Sequence, residues 1–205
     1  MTKLIRWTAG LLLLLAATAA GVNFYLRSLL PDYQGRLRIE GLRAPAKVYF
    51  DAYAVPHIYA ENEADAYCAL GFVHAQERLF QMDLMRRAAK GELSALLGEA
   101  TLDSDRLFRL LGVRQLAAQQ AQRQLAQRDT PFAQAFMAYL QGVNAYVATG
   151  KSSLEHRLLG VSEVPPFAPD DVYAIGALLG FGFAEGFRNE PLAAYIQQLG
   201  PAYLA

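Results

Sequence analysis

Residues 7–26 form a run of 20 without a charge, built around Leu11-Leu12-Leu13-Leu14-Leu15 and preceded by Lys3 and Arg6. So apolar a run does not sit on the surface of a water-soluble domain, so any compact fold must come from the residues after Arg27. Two kinds of segment have this pattern. The core from Ala9 to Ala20 has the length of a secretory signal, and Ala17-Thr18-Ala19 offers a small-x-small cleavage site. Val22, Phe24, Tyr25 and Leu26 prolong it to about 20 residues, enough to cross a bilayer once. Cations on the leading side keep that end in the cytoplasm and send the rest across. Residues 1–27 are therefore read as a signal peptide or a membrane anchor, the anchor crossing through residues 7–26. Residues 28–205 are the exported body, expected in the periplasm or on the extracytoplasmic face of the inner membrane.

Composition narrows the body further. The chain is 54% hydrophobic and 19% charged, more apolar and less charged than an average soluble domain, which excludes disorder. Residues 1–27 hold three cations and no acid, leaving 16 basic against 19 acidic residues beyond them, a net charge of −3. Nucleic acid is excluded as a partner on this ground, because its binders need clustered Lys and Arg. Cys68 is the single cysteine, so the chain has no internal disulfide. In an oxidising compartment such a thiol is tolerated when buried.

Along the body, Arg36–Leu42 alternates charged and apolar residues and predicts a strand. Lys47–Asp51 and His57–Ala60 predict two more around a turn before Pro56. From Asn62, a plausible helix cap, the pattern turns helical to about Lys90, as one long helix or two abutting ones. Gly91 and Gly98 bracket a short helix over Glu92–Leu97. Arg106–Gln127 predicts one helix with an exposed, Ala- and Gln-rich second half, and Phe132–Thr149 another. Pro165-Pro166-Phe167-Ala168-Pro169 is a stiff connector, and Asp170 or Asp171 caps the helix that follows. The glycines of Gly180-Phe181-Gly182-Phe183-Ala184-Glu185-Gly186-Phe187 are expected to break that helix, and a last one starts near Pro191.

Candidate chemistry is sparse. No Ser follows a Gly, no Gly-x-Ser-x-Gly elbow exists, and His57, His74 and His156 are the only imidazole bases, so nothing favours a Ser-His-Asp triad. His74 and Glu77 share a helical face as a metal half-site would, without a second His-rich element to complete it. Glu185, Asn189 and Glu190 beside the glycine-rich stretch could bind a hard cation, or form a solvated turn. The densest constellation is Gly71-Phe72-Val73-His74-Ala75-Gln76-Glu77-Arg78-Leu79-Phe80-Gln81-Met82-Asp83 with Arg86-Arg87. The i,i+4 spacing of Glu77 with Gln81 and of Asp83 with Arg87 predicts a buried or interfacial polar network rather than a solvated face.

Together with Asp51-x-x-x-Val55-Pro56-His57-Ile58-Tyr59-Ala60 and Gly91-Glu92-Leu93, this constellation resembles the penicillin acylase (penicillin amidase) family from about Arg38 onward. Weaker matches lie in Asp105, Arg109, Gly112, Gly142-Val143-Asn144-Ala145-Tyr146 and Leu158-Leu159-Gly160. The resemblance implies an N-terminal-nucleophile hydrolase that cuts its exported precursor into a smaller α and a larger β chain. The nucleophile in that family is the first Ser of the β chain, with its own α-amino group as base, a group whose pKa of ~7.7–8.0 leaves it partly neutral near pH 7. Its members hydrolyse carbon–nitrogen amide bonds, including β-lactam side-chain amides, hence antibiotic metabolism, and acyl-homoserine lactones.

No Gly-Ser, Gly-Cys or Gly-Thr dipeptide occurs in this sequence, so the resemblance implies an α-chain region without a catalytic residue of its own. Its partners would be a β subunit from the same precursor or a neighbouring gene, and a small-molecule amide. The implied fold class is α+β: a mostly helical α-chain fragment with a few N-terminal strands, part of an αββα sandwich. By position, the resemblance assigns Phe181, Phe183 and Phe187 to the acyl pocket and Glu190 to a structural calcium site shared with the β chain, with no organic cofactor. Two departures from the family pattern are Ala54, where Gly is usual, and Phe167, where Trp is common. The rival expectation is a membrane-anchored, non-catalytic helical module for binding or assembly.

Overall fold

The computed structural model describes residues 2–31 and 33–198, and the side chains of these except residues 2–5 and 185–193. Helix α1 (Thr2–Ser28) carries the apolar run, and none of its apolar window is buried against the body. The stretch 29–46 that follows is not a strand, contrary to the alternation in Arg36–Leu42. Leu37 is 68% exposed and Gly41 turns at φ 90°. Alternation makes a strand only where a pairing edge and a layer to bury one face are both at hand. The stretch is instead tied down by side chains. Arg43 N and Ala44 N donate to the Asp65 carboxylate at 2.9 and 2.8 Å. Gln141 Nε2 donates to the Glu40 carbonyl.

Strands β1 (Lys47–Phe50) and β2 (Pro56–Tyr59) pair antiparallel, Lys47 opposite Tyr59 and Phe50 opposite Pro56. Asp51 holds their turn, its Oδ1 accepting from Tyr53 N at 2.8 Å and Val55 N at 2.9 Å, with Oδ2 3.3 Å from His57 Nε2. Ala54 sits at φ 60°, a left-handed conformation that costs a residue with a Cβ about 1–2 kcal/mol.

Helix α2 (Glu63–Lys90) starts at Asn62, whose side chain accepts from Asp65 N, and ends at Gly91 at φ 68°. It leaves helical geometry once, at Arg78 (φ −136°, ψ 20°). No Pro or Gly lies within four residues of that kink. Helix α3 (Ser94–Leu97) lies between Gly91 and Gly98 as expected. The single helix expected over Arg106–Gln127 is two, α4 (Leu102–Leu110) and α5 (Val113–Ala126), because Gly112 takes φ 67° between them. The Ala- and Gln-rich half is not simply exposed, since Ala117 and Ala121 are buried. Helix α6 (Pro131–Val147) begins at Thr130, whose side chain accepts from Ala133 N. Helix α7 (Leu154–Leu158), not foreseen, is capped by Ser153. Helix α8 (Pro169–Gln198) runs through Gly180 and Gly182 without the expected break and past Pro191 without a new start. A helical glycine costs only about 1 kcal/mol relative to Ala. Packing of Ala174, Ala177, Leu178 and Phe181 outweighs that cost.

The body is built on α2. Its Gly71 meets the backbone of Tyr139 on α6, and Gly142 of α6 meets the backbone of Cys68 on α2, so closely that a Cβ at either glycine would collide. Ala75, Leu79, Met82, Leu140 and Val143 fill the core along this seam, closed by Val164 and Phe167. A second core, Ala89, Phe108, Val113, Ala117 and Ala174, lies where α8 crosses α2, α4 and α5. Cys68 is buried in the seam and unpaired; burial, then the Asp65 charge, raises its thiol pKa. The fold is α+β and mainly helical, its two strands the only sheet among the described residues.

Candidate functional site

Charged residues in the last two turns of α2 clasp the Pro-rich connector and the start of α8. Asp83 is fully buried, and its Oδ1 accepts from Arg86 Nε at 2.7 Å and its Oδ2 from Arg87 Nε at 2.9 Å. Arg86 reaches on to the carbonyls of Pro165 and Pro166 at 3.0 and 3.2 Å and to Asp171 Oδ2 at 3.5 Å. Its guanidinium lies 4.0 Å above the Phe167 ring, a cation–π contact in a desolvated setting. The Asn144 side chain takes both backbone groups of Phe167, at 2.7 and 2.8 Å. Lys90 pairs with Asp170 at 2.7 Å and with Asp171. Asp171 Oδ2 also accepts from Ala168 N at 2.7 Å, so its carboxylate satisfies the backbone entering α8, as an N3 acid does in a capping box.

Electrostatics follow from this geometry. Burial alone would raise the Asp83 pKa, but hydrogen bonds from His156 and Arg87 and the Arg86 charge outweigh it and hold the carboxyl far below the usual range. Burial would lower the Lys90 pKa, and hydrogen bonds to Asp170 and Asp171 raise it instead. Both shifts favour the charged forms of Asp83 and Lys90 within the network, as burial of a paired charge requires.

One line of atoms imitates a catalytic triad. Ser153 Oγ is 3.1 Å from His156 Nδ1, and His156 Nε2 is 3.4 Å from Asp83 Oδ2. The resemblance ends at the roles. Ser153 is the cap of α7 and accepts from His156 N, the imidazole is 0% exposed, and Asp83 is committed to two guanidiniums. These residues support a structure and leave no group poised to attack a substrate.

Of the aromatic positions the sequence singled out, Phe181 and Phe183 lie among the described side chains. Phe181 packs edge-on against Phe108, ring centroids 5.6 Å apart, as part of the second core. Phe183 is 73% exposed. The side chains of Phe187, Glu185, Asn189 and Glu190 lie outside the described residues. Among the described residues there is no cluster of three or more His, Cys, Asp or Glu that could hold a metal. The His74 and Glu77 half-site is not formed; His74 Nδ1 is 2.6 Å from Tyr139 Oη. The polar network expected around Asp83 is present, but its distant partners, His156 and Asp171, had no signal in the local spacing. A groove of about 760 Å³ lies on another side of α2, between the stretch leaving α1 and α7. Gln76 Nε2, a buried donor without a protein partner among the described residues, is on its wall.

The family-specific residues thus act as braces. Asp65 fixes the entry stretch and Asp51 the hairpin turn. Asp105 accepts from Leu93 N and Ser94 N at 2.8 and 2.9 Å, and Arg109 donates to the Gly91 carbonyl at 2.7 Å. A glycine-seamed helix pair clasped to a Pro-rich connector is a braced helical scaffold. The penicillin amidase family model matches residues 45–205, and the chain belongs to that family. It is 42% identical over 156 residues to a penicillin acylase 2 proenzyme of Pseudomonas sp. (strain SE83), covering 76% of this chain and 20% of that protein. It is 34% identical over 182 residues to an acyl-homoserine lactone acylase, QuiP, of Pseudomonas aeruginosa, covering 88% and 21%. A solved structure, the thermostable penicillin G acylase from Alcaligenes faecalis, aligns with a TM-score of 0.58 at 28% identity, covering 75% of this chain and 81% of that one. The chain spans about a fifth of the length of these curated relatives.

Proposed function

We propose that this chain is the α-chain part of an exported acylase that hydrolyses a non-peptide amide, with the nucleophile supplied by a second chain. The observation that carries the reading is the pair of coverages, 81% of a solved penicillin G acylase chain against 20% of a proenzyme. Those are the proportions of a small chain cut from a large precursor. The substrate classes proposed are β-lactam side-chain amides and acyl-homoserine lactones, after the names of the relatives. Phe183, exposed on α8, and Phe187 are proposed to line the acyl pocket once the second chain covers them, with Phe181 setting their height on the helix. Glu190 is proposed as this chain's one ligand to a structural calcium ion.

The test is co-expression with a β chain encoded downstream or taken from a relative, assayed on acyl-homoserine lactones of graded chain length and on a β-lactam bearing a side-chain amide. Hydrolysis is expected only when both chains are present, and Glu190→Gln should lower the melting temperature gained by adding calcium to the assembled enzyme. A soluble, monomeric body that neither binds nor activates the β chain would favour the rival reading, a non-catalytic binding module.

A further inference from the structure

We propose that α1 is retained as a single transmembrane anchor, and that the groove side of the body rests on the extracytoplasmic headgroup layer of the same bilayer. The inference uses the export half of the proposed function and is independent of acylase activity. Trp7 and Tyr25, 80% and 44% exposed, stand 18 positions apart on α1. At 1.5 Å per residue that is about 27 Å, close to a hydrocarbon thickness of about 30 Å. Aromatic rings at both ends of a span are the usual headgroup-level markers. A secretory signal stops being apolar at its cleavage site. Here the helix passes through Ala17-Thr18-Ala19 unbroken, Thr18 Oγ1 donating to the Leu14 carbonyl at 2.9 Å. The apolar run then continues to Leu26. Lys3 and Arg6 orient the span; Arg27, Arg36 and Arg38 do not reverse it, because long following segments translocate largely regardless of charge.

Beyond the span the chain does not lead away from the membrane on a free tether. Leu26, Leu29, Leu30 and Leu37 line the groove together with Phe72 and Tyr146 of the body. The same stretch is bonded to the body at Glu40, Arg43 and Ala44. The groove side therefore lies next to the point where α1 leaves the bilayer. It presents Leu37, 68% exposed, with exposed Arg78, Lys151 and Arg157 beside the two acids Glu77 and Glu155. An apolar side chain that can enter the acyl boundary, with three cations that can reach lipid phosphates against two acids, suits a headgroup layer that the span already holds beside it.

Trp7 is the only tryptophan of this sequence, so a chain of these residues reports on its own anchor. It would be expressed without a second chain in a bacterium, and its membranes washed with alkaline carbonate, floated, and reconstituted in phosphatidylethanolamine–phosphatidylglycerol vesicles with brominated acyl chains. The chain should float, keep its full mass, and show Trp emission quenched several-fold more by bromines near the headgroups than by bromines at mid-bilayer. A mature chain that begins near Ala20 and has no Trp emission, or an intact chain that carbonate extracts or that sinks on flotation, would overturn the anchor. Leu37→Cys and Tyr53→Cys, each labelled with a fluorophore while Cys68 stays buried, test the resting surface. Aqueous iodide should quench the label at position 37 several-fold less than that at 53 in vesicles; equal quenching at both positions would refute contact of this side with lipid.

Discussion

Helix α2 is held in two opposite ways. Toward α6 it has no side chain at all at the crossing point, Gly71 and Gly142 letting two backbones touch. Toward α7 and α8 it projects its longest charged side chains, Arg86, Arg87 and Lys90, into a buried cluster of carboxylates and carbonyls. The seam is shape-limited: its strength comes from the dispersion contacts of close-packed atoms. The clasp is charge-limited, since its ions are stable in the interior only while every partner is present. One helix thus carries a contact indifferent to pH and a contact that pH can dissolve.

Removing the central acid gives the largest expected loss. Asp83→Ala strands two guanidiniums and should destabilise the purified chain by about 3–5 kcal/mol in denaturant unfolding followed by circular dichroism. A loss no larger than that of a surface variant such as Asp103→Ala would show that the clasp is incidental. Gly142→Ala should cost about 1–3 kcal/mol or more through overpacking, and unlike Asp83→Ala its cost should not vary between pH 4 and 9.

The clasp itself should titrate. The Asp83 pKa is depressed in the fold, so its stabilisation is complete above the unfolded value of about 3.9 and is lost as pH falls through the folded value. The Lys90 pKa is raised, so its share is present below about 10.4 and is lost as pH rises beyond its folded value. Stability should be flat near neutrality and fall at both ends, and Asp83→Asn should flatten the acid limb.

Ser153→Ala should cost about 1 kcal/mol as a lost cap while the assembled enzyme keeps its full rate; a collapse of turnover would convert the imitation triad into a real one. The smallest effect is a gain. Ala54→Gly relieves a left-handed Ala and should stabilise by about 0.5–1 kcal/mol, read as a small rise in melting temperature.

Much of this was legible in the order of residues. The Asn62 cap, the Gly91 stop and the hairpin around Asp51 are set within a few residues, where local hydrogen bonds decide the outcome. The strain at Ala54 could be anticipated from the usual glycine of the family pattern. What local pattern misjudged needed a neighbour. Arg36–Leu42 alternates like a strand but finds no edge to pair with, and Gly180 and Gly182 do not break α8 because packing on the second core offsets their weak propensity. Helix α7 was missed because a five-residue helix has too few turns to show a period, and its fixing residue, His156, is defined by Asp83 73 positions away.

The site followed the same rule in sharper form. Family membership was legible as a resemblance carried by an ordered set of motifs, yet residues within them, Asp83, Arg86, Asn144 and Asp105, are braces whose roles appear only once the chain reversals bring donors and acceptors together. By itself the sequence determined the anchor-like run and the helical body, because composition and short-range spacing act along the chain, and its ordered motifs carried the resemblance to the family. The tertiary structure alone decided that the charges of those motifs around Asp83 are structural. Whether a buried carboxylate attacks, ligates or braces depends on the groups that surround it in space, and here two guanidiniums and an imidazole commit Asp83 to holding α2, α7 and the connector to α8 together.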